Sequence, residues 1–257
     1  VCSSDLLNLS CLVLTYSRGG WIGCMAALLV FSLLILYWLS QSWSGFWRTW
    51  ATPIALGSLA LVVTLGIVFL EPLRVRVLSM FAGREDSSNN FRMNVWAAVI
   101  EMIRDRPWLG IGPGNTVFNK IYPLYQRPRF TALSAYCIFL EIAVETGAIG
   151  FACFLWILLT TFSQGGRYLS RLRSRLHHSL AALDLPQDVQ PQQIYWLIAG
   201  IATIVGMLGH GLVDTVWYRP QVSTLWWLSL ALIASYDPAH LALPPHAATQ
   251  SSHSHPS

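Results

Sequence analysis

The chain has 257 residues, 54% of them hydrophobic and only 11% charged, where ordinary soluble domains carry about 25% charge. Twenty of its 28 charges fall in residues 71–129 and 167–188, so long uncharged runs alternate with polar connections, as in a protein that spans a membrane. This excludes a disordered chain, a disulfide-stapled secreted domain and a coiled coil, and the dispersed net charge of +4 gives nucleic acid nothing to bind.

Val1 is not an initiator residue, so the chain is expected to be the C-terminal part of a longer protein. Leu6–Ser17 then reads as a truncated span. Residues 21–39 and 51–70 hold 19 and 20 positions without a charge, enough to cross a hydrocarbon core that needs about 20 apolar residues. Residues 146–162 extend the same pattern N-terminally through Glu145 and Glu141 to Ser134, and residues 194–209 extend it through His210 to Val213. The last run, 221–236, is short and calls for a locally thinned bilayer or anchoring at the interface. These runs must be helices, because hydrocarbon offers no water to unpaired backbone groups. Trp38, Trp43, Trp47 and Trp50 crowd one connection and Trp217, Trp226 and Trp227 another, as suits indole rings at the headgroup level. Cys2, Cys11, Cys24, Cys137 and Cys153 form no C-x-x-C pair and read as small apolar side chains. No metal ligand set and no cofactor follow from the sequence.

The expected fold is all-α: a polytopic transmembrane helix bundle with one large extracytoplasmic loop that contains a short amphipathic helix. Its parts are spans in 1–70, the loop 71–133, further spans in 134–236 with a basic cytoplasmic loop 163–193, and a Pro-, Ser- and His-rich disordered tail 237–257. Arg167, Arg171, Arg173 and Arg175 place the 163–193 connection in the cytoplasm by the positive-inside rule. The 71–133 loop then lies outside despite nine Lys/Arg, since loops beyond about 60 residues largely escape the rule.

Inside that loop, Asn89 and Asn90 suit an N-cap, and 91–104 has helical periodicity with Val95, Trp96, Val99, Ile100 and Ile103 on one side. Arg92 stands four residues before Trp96, so guanidinium and indole share a face. Pro107 stops the helix. Leu109-Gly110-Ile111-Gly112-Pro113-Gly114-Asn115 follows, either a cradle whose N–H groups face an anion or a tight interfacial turn. No strand precedes it, so it is not a dinucleotide fingerprint. Tyr122 to Phe130 is aromatic and basic and is expected to hug the membrane.

Ionisable groups inside spans cost about 2.5–3.5 kcal/mol each on insertion scales. Arg18 lies between two apolar runs, and Glu141 with Glu145 and His210 with Asp214 pair at i,i+4. Structural roles compete with functional ones here: snorkelling for Arg18 and Asp214, a later helix start for the glutamates, and hydrogen-bonded packing for His210. In the expected topology Arg18, Arg92, Tyr136, Asp214 and Arg219 approach the outer face, where planar, permanently charged guanidinium groups would suit a diphosphate.

Ser17-Arg18-Gly19-Gly20, Arg92 to Trp96, Pro107 to Asn115, Ser134-Ala135-Tyr136, Glu145 to Gly150 and His210 to Asp214 occur in this order. Their combination resembles the C-terminal half of the O-antigen ligase and polymerase superfamily over residues 10–236. Tyr122-Pro123-Leu124-Tyr125 and Phe130 to Tyr136 most resemble the cyanobacterial inorganic carbon transporter B group, named for bicarbonate transport. The resemblance implies a multi-pass protein of the cytoplasmic membrane whose partner, besides membrane lipid, is either bicarbonate or a polyprenyl-diphosphate-linked glycan. The transporter-like reading is the first expectation and a glycan ligase or polymerase the alternative, so whether the chain is an enzyme stays open. Arg18 and Arg92 match the positions at which the ligases are thought to hold the diphosphate. The ligases' histidine begins a pattern of His-(Asn/Ser/Gln), nine residues, Gly, two residues, Gly. Here Tyr136-Cys137 begins it, with Gly147 and Gly150 in place. A phenol of pKa near 10 is a poor base at neutral pH where an imidazole near 6.5 is a good one. Tyr136, His210 and Asp214 are the candidates for catalysis, and Glu141, Glu145 and Arg219 are further site candidates.

Overall fold

The computed structural model describes residues 10–12, 14, 17–40, 43, 45–69, 87–182, 191–216 and 218–236. Most of Leu6–Ser17, residues 71–86 and the tail 237–257 therefore lie outside the described residues. Among the described residues the elements are helical: α1 (Arg18–Leu39), α2 (Gly45–Phe69), α3 (Ser87–Asp105), α4 (Asn115–Ile121), a 3₁₀ turn Tyr122–Leu124, α5 (Ile138–Ala182), α6 (Pro191–Gly211) and α7 (Pro220–Ala234). Three helical stretches, Arg18–Leu39, Ile138–Ser174 and Gln193–Gly211, are long and apolar enough to cross a membrane, and α7 is a shorter apolar helix. The protein is an all-α membrane helix bundle. Leu28, Trp156, Leu159, Trp227 and Leu228 stand exposed, as side chains facing lipid do.

Local chemistry sets the helix ends. Ser17 caps α1, its hydroxyl accepting from Gly20 N–H at 3.1 Å, and prolines begin α6 and α7, where the missing N–H costs nothing. α1 packs most extensively on α6, and α7 and α5 close against α6. The α1–α6 seam is made of small residues. A Cβ on Gly23 would stand 2.6 Å from Gly206 O, and one on Gly206 would stand 2.8 Å from Ala27 Cβ, so the backbones touch, as small-residue seams in membranes allow. Gly23→Val is accordingly expected to lower the thermal midpoint of the detergent-solubilised protein by well over ten degrees. Gly57→Val on α2, where a Cβ meets nothing within 4 Å, should shift it by only a few degrees.

Two expected loops are built differently. Residues 163–182 continue α5 as helix, because Leu169 and Leu172 are buried against Ile194 and Ile198 of α6 with Leu34, Ile35 and Trp38 of α1 beside them. Arg173 lies over the Tyr37 ring at 4.0 Å. Residues 91–135 form a small packed body rather than a membrane-hugging strip. Val95, Val99 and Met102 of α3 enclose Phe118, Tyr122, Ile111 and Ala135. Tyr122 is buried, stacks on Phe118 with centroids 5.2 Å apart and donates its hydroxyl to Phe130 O at 2.8 Å. α3 also begins earlier than the 91–104 expectation. Asn89 and Asn90 lie inside it, their amides engaged with Arg18 and Asn94 rather than capping the helix.

α5 is interrupted. Gly147 has φ 67° and ψ −167°, a region essentially restricted to glycine. The backbone groups freed there pair with residues 107–112. Ile111 and Gly112 N–H donate to Val144 O and Glu145 O at 2.8 and 3.0 Å, and Ala148 and Ile149 N–H donate to Pro107 O and Trp108 O at 2.8 and 3.4 Å. The glycine-rich turn thus completes a broken helix. Of the two readings of this segment, the anion cradle loses the amides of Ile111 and Gly112, which are spent on this pairing.

Candidate functional site

α3 gathers the cationic side chains. Arg92 Nη1 donates to Ser88 Oγ one turn back at 2.9 Å. Arg18 Nη1, from the start of α1, donates to Asn89 Oδ1 at 3.3 Å. The two arginines, 74 residues apart in sequence, therefore engage neighbouring residues of one helix turn. Arg92 Nε is buried and has no protein acceptor, which is rare enough for a buried donor to require an explanation. Asn94 is buried, donates to Asn90 O and Oδ1 at 2.8 and 2.9 Å, and accepts from Arg127 Nη1 at 3.2 Å. The Arg92–Trp96 contact expected from spacing gives way to these bonds and to Trp96 Nε1–H donating to Ala135 O at 2.9 Å.

His210 closes the same end of the bundle. It sits against Gly19: a Cβ there would stand 2.8 Å from His210 Cδ2 and 3.2 Å from Nε2. Its Nε2 lies 3.8 Å from Asp214 Oδ2, with side chains 31% and 42% exposed. Asp214 also accepts from Thr215 N–H at 2.8 Å. The neighbouring imidazole holds the Asp214 carboxyl below the usual range; the Thr215 amide and the charge of Arg92 add to this, and partial burial opposes it. Arg18, Arg92, His210 and Asp214 are thus brought to one place from α1, α3 and the end of α6.

Tyr136 has a left-handed backbone with φ 50°. Its ring meets Phe91 edge-on at 5.4 Å, beside Arg92 in sequence. The segment is held from both sides, Ala135 O by Trp96 and Ala135 N–H by Glu141 Oε2 at 2.6 Å. Glu141 is buried in the first turn of α5. It also accepts from Thr215 Oγ1 at 3.3 Å and from the Tyr218 hydroxyl, which bonds Glu145 as well. Glu141 therefore joins the Tyr136 segment to the loop that carries Asp214. The i,i+4 glutamates share a face as expected. Tyr218 and Thr215, their partners, carry no periodic signal and were invisible in the sequence. Arg219 is exposed at the N-cap of α7, where its recorded contacts are backbone ones.

The family described as O-antigen ligase matches residues 4–155, more than half of the chain. A search of the curated proteins found no match. The matched segment contains Arg18, Arg92, Tyr136, Glu141 and Glu145, while His210, Asp214 and Tyr218 lie beyond it. The match supports the ligase and polymerase superfamily; it gives no support to the inorganic carbon transporter grouping or to bicarbonate as a partner. By this match, the multi-pass membrane chain belongs to the O-antigen ligase family.

Proposed function

We propose that the chain is a glycan transferase of the cytoplasmic membrane. It holds the diphosphate of a polyprenyl-linked donor at the outer face, between Arg18 and Arg92. One observation carries this reading. Guanidinium groups from two different helices bond adjacent residues of the first turn of α3, Asn89 and Ser88, and a buried Nε–H of Arg92 is left without a protein acceptor. An oxyanion fits there, because charged, forked donors bind phosphate oxygens bidentately. The family's lipid-linked substrates supply such an oxyanion.

The test is binding of undecaprenyl diphosphate to the full chain in lipid nanodiscs. Arg18→Ala and Arg92→Ala should each weaken binding by roughly tenfold or more, as losing a hydrogen bond to a charged group at about 1.5–3 kcal/mol requires. Unchanged affinity in both folded variants would overturn the reading. So would a bicarbonate-dependent flux into liposomes that both variants abolish.

A further inference from the structure

We propose that His210, held by Asp214, takes the proton of the acceptor hydroxyl during transfer, in place of the imidazole that the chain lacks at residue 136. This rests on the reading of the site as a glycan transferase. Transfer forms a bond from the acceptor oxygen to the anomeric carbon of the glycan and breaks the bond from that carbon to the phosphate oxygen. The diphosphate leaves with the electron pair, held by Arg18 and Arg92, and the acceptor's proton must go to a base.

Besides Asp214 and Tyr218, which hold the groups beside them, four side chains at this end compete for that role. Tyr136 packs edge-on against Phe91, and a phenol begins from a pKa near 10. Glu141 is buried and accepts from Ala135, Thr215 and Tyr218. Glu145 is engaged by Tyr218. His210 is partly exposed, and imidazole is the side chain suited to accept a proton near neutral pH. It sits against Gly19, the residue after Arg18, and its Nε2 faces the Asp214 carboxylate. With Nε2–H turned to Asp214 the lone pair lies on Nδ1, and the carboxylate stabilises the imidazolium that forms, as the acid of a triad does. Thr215 N–H fixes Asp214 in turn. Asp214 is a positioning residue and His210 the proton acceptor. Both lie outside the residues that define the family match, so the proton-handling group has moved while the arginines have stayed.

The experiment follows release of undecaprenyl diphosphate from a short glycan linked to it, in native membranes that hold the full chain and supply the acceptor. It is paired with undecaprenyl diphosphate binding in nanodiscs. His210→Gln should lower kcat by about 100-fold or more, within the range for a general base, with affinity for undecaprenyl diphosphate unchanged. Asp214→Asn, a loop substitution outside the α1–α6 seam, should lower kcat about tenfold without weakening affinity for undecaprenyl diphosphate, since it removes a negative charge that acts on Arg92. It keeps the test decisive if His210→Gln fails to fold. A kcat within threefold of the original in either folded variant overturns the proposal, even where the arginine variants still lose the diphosphate. Arginine variants that bind normally overturn instead the transferase reading on which it rests.

Discussion

Replacing Gly147 by alanine is expected to remove most of the folded protein from detergent extracts. A Cβ at this position would stand 2.3 Å from Trp108 O and 2.4 Å from Trp108 C. These are backbone atoms and cannot swing aside. The φ of 67° with ψ near −167° adds a conformational penalty of about 1–3 kcal/mol for any residue with a side chain. If Trp108 retreats, Ala148 and Ile149 lose their acceptors, and an unsatisfied backbone group at membrane depth costs several kcal/mol. The combined loss should exceed about 4 kcal/mol, at the extreme end for single substitutions. Gly110→Ala should behave alike, because its Cβ would stand 2.5 Å from Val144 O across the same junction. Gly114→Ala is the control: its φ is 107°, but a Cβ there meets nothing within 4 Å, so only the conformational penalty remains. Monodispersity and thermal midpoint after size-exclusion chromatography read the result. If Gly147→Ala melts with Gly114→Ala, the pairing of residues 107–112 with α5 does not hold the fold.

Glu141→Ala is the second large loss. Its carboxyl is 3% exposed and takes three donors, from Ala135, Thr215 and Tyr218. Truncation strands Ala135 N–H and the Thr215 hydroxyl, leaves Tyr218 with Glu145 as its carboxylate partner, and opens a cavity beside the first turn of α5. At about 1–3 kcal/mol for each unsatisfied buried group, partly relieved by water, the loss should be about 3–5 kcal/mol. Glu141→Gln keeps a carbonyl for Ala135 N–H and can turn its amide to the Tyr218 oxygen, so it should retain a good part of the stability. Glu145→Ala should cost far less, since Glu145 is only partly buried and its recorded side-chain bond is the one to Tyr218. Thermal midpoints of the three variants in one detergent decide the matter. Equal midpoints for Glu141→Ala and Glu145→Ala would show that the bonds of Glu141 carry no weight.

What the sequence revealed follows from the range of the physics involved. α1 was legible because an uncharged run is a local signal, and the shared face of Glu141 and Glu145 because helical spacing is local; the Ser17 cap was not read. The convergence of Arg18 and Arg92 followed from alternating spans, but its means did not. Asn89 looked like a helix cap, and it is a tertiary partner for Arg18 from 71 residues away. The break at Gly147 was hidden because a glycine in an apolar run suits close packing equally well, and because the strand of backbone that completes it lies some 35 residues earlier. Tyr122 read as part of a membrane-hugging segment because nothing in its neighbourhood announces the α3 face that covers it together with Phe118. Tyr218 was missed for the same reason: its partners are more than 70 residues away.

The glycine seam between α1 and α6 has a consequence for biosynthesis. At the usual elongation rate of about 5–20 residues per second, α1 leaves the ribosome roughly ten to thirty seconds before the helix that fits it. For that interval its notched surface waits in the bilayer without its mate, and the cationic residue at its head waits with it. Premature termination ahead of α6 would therefore yield a chain with local signals for insertion but without the main packing partner of α1, a species that membrane quality control should clear quickly.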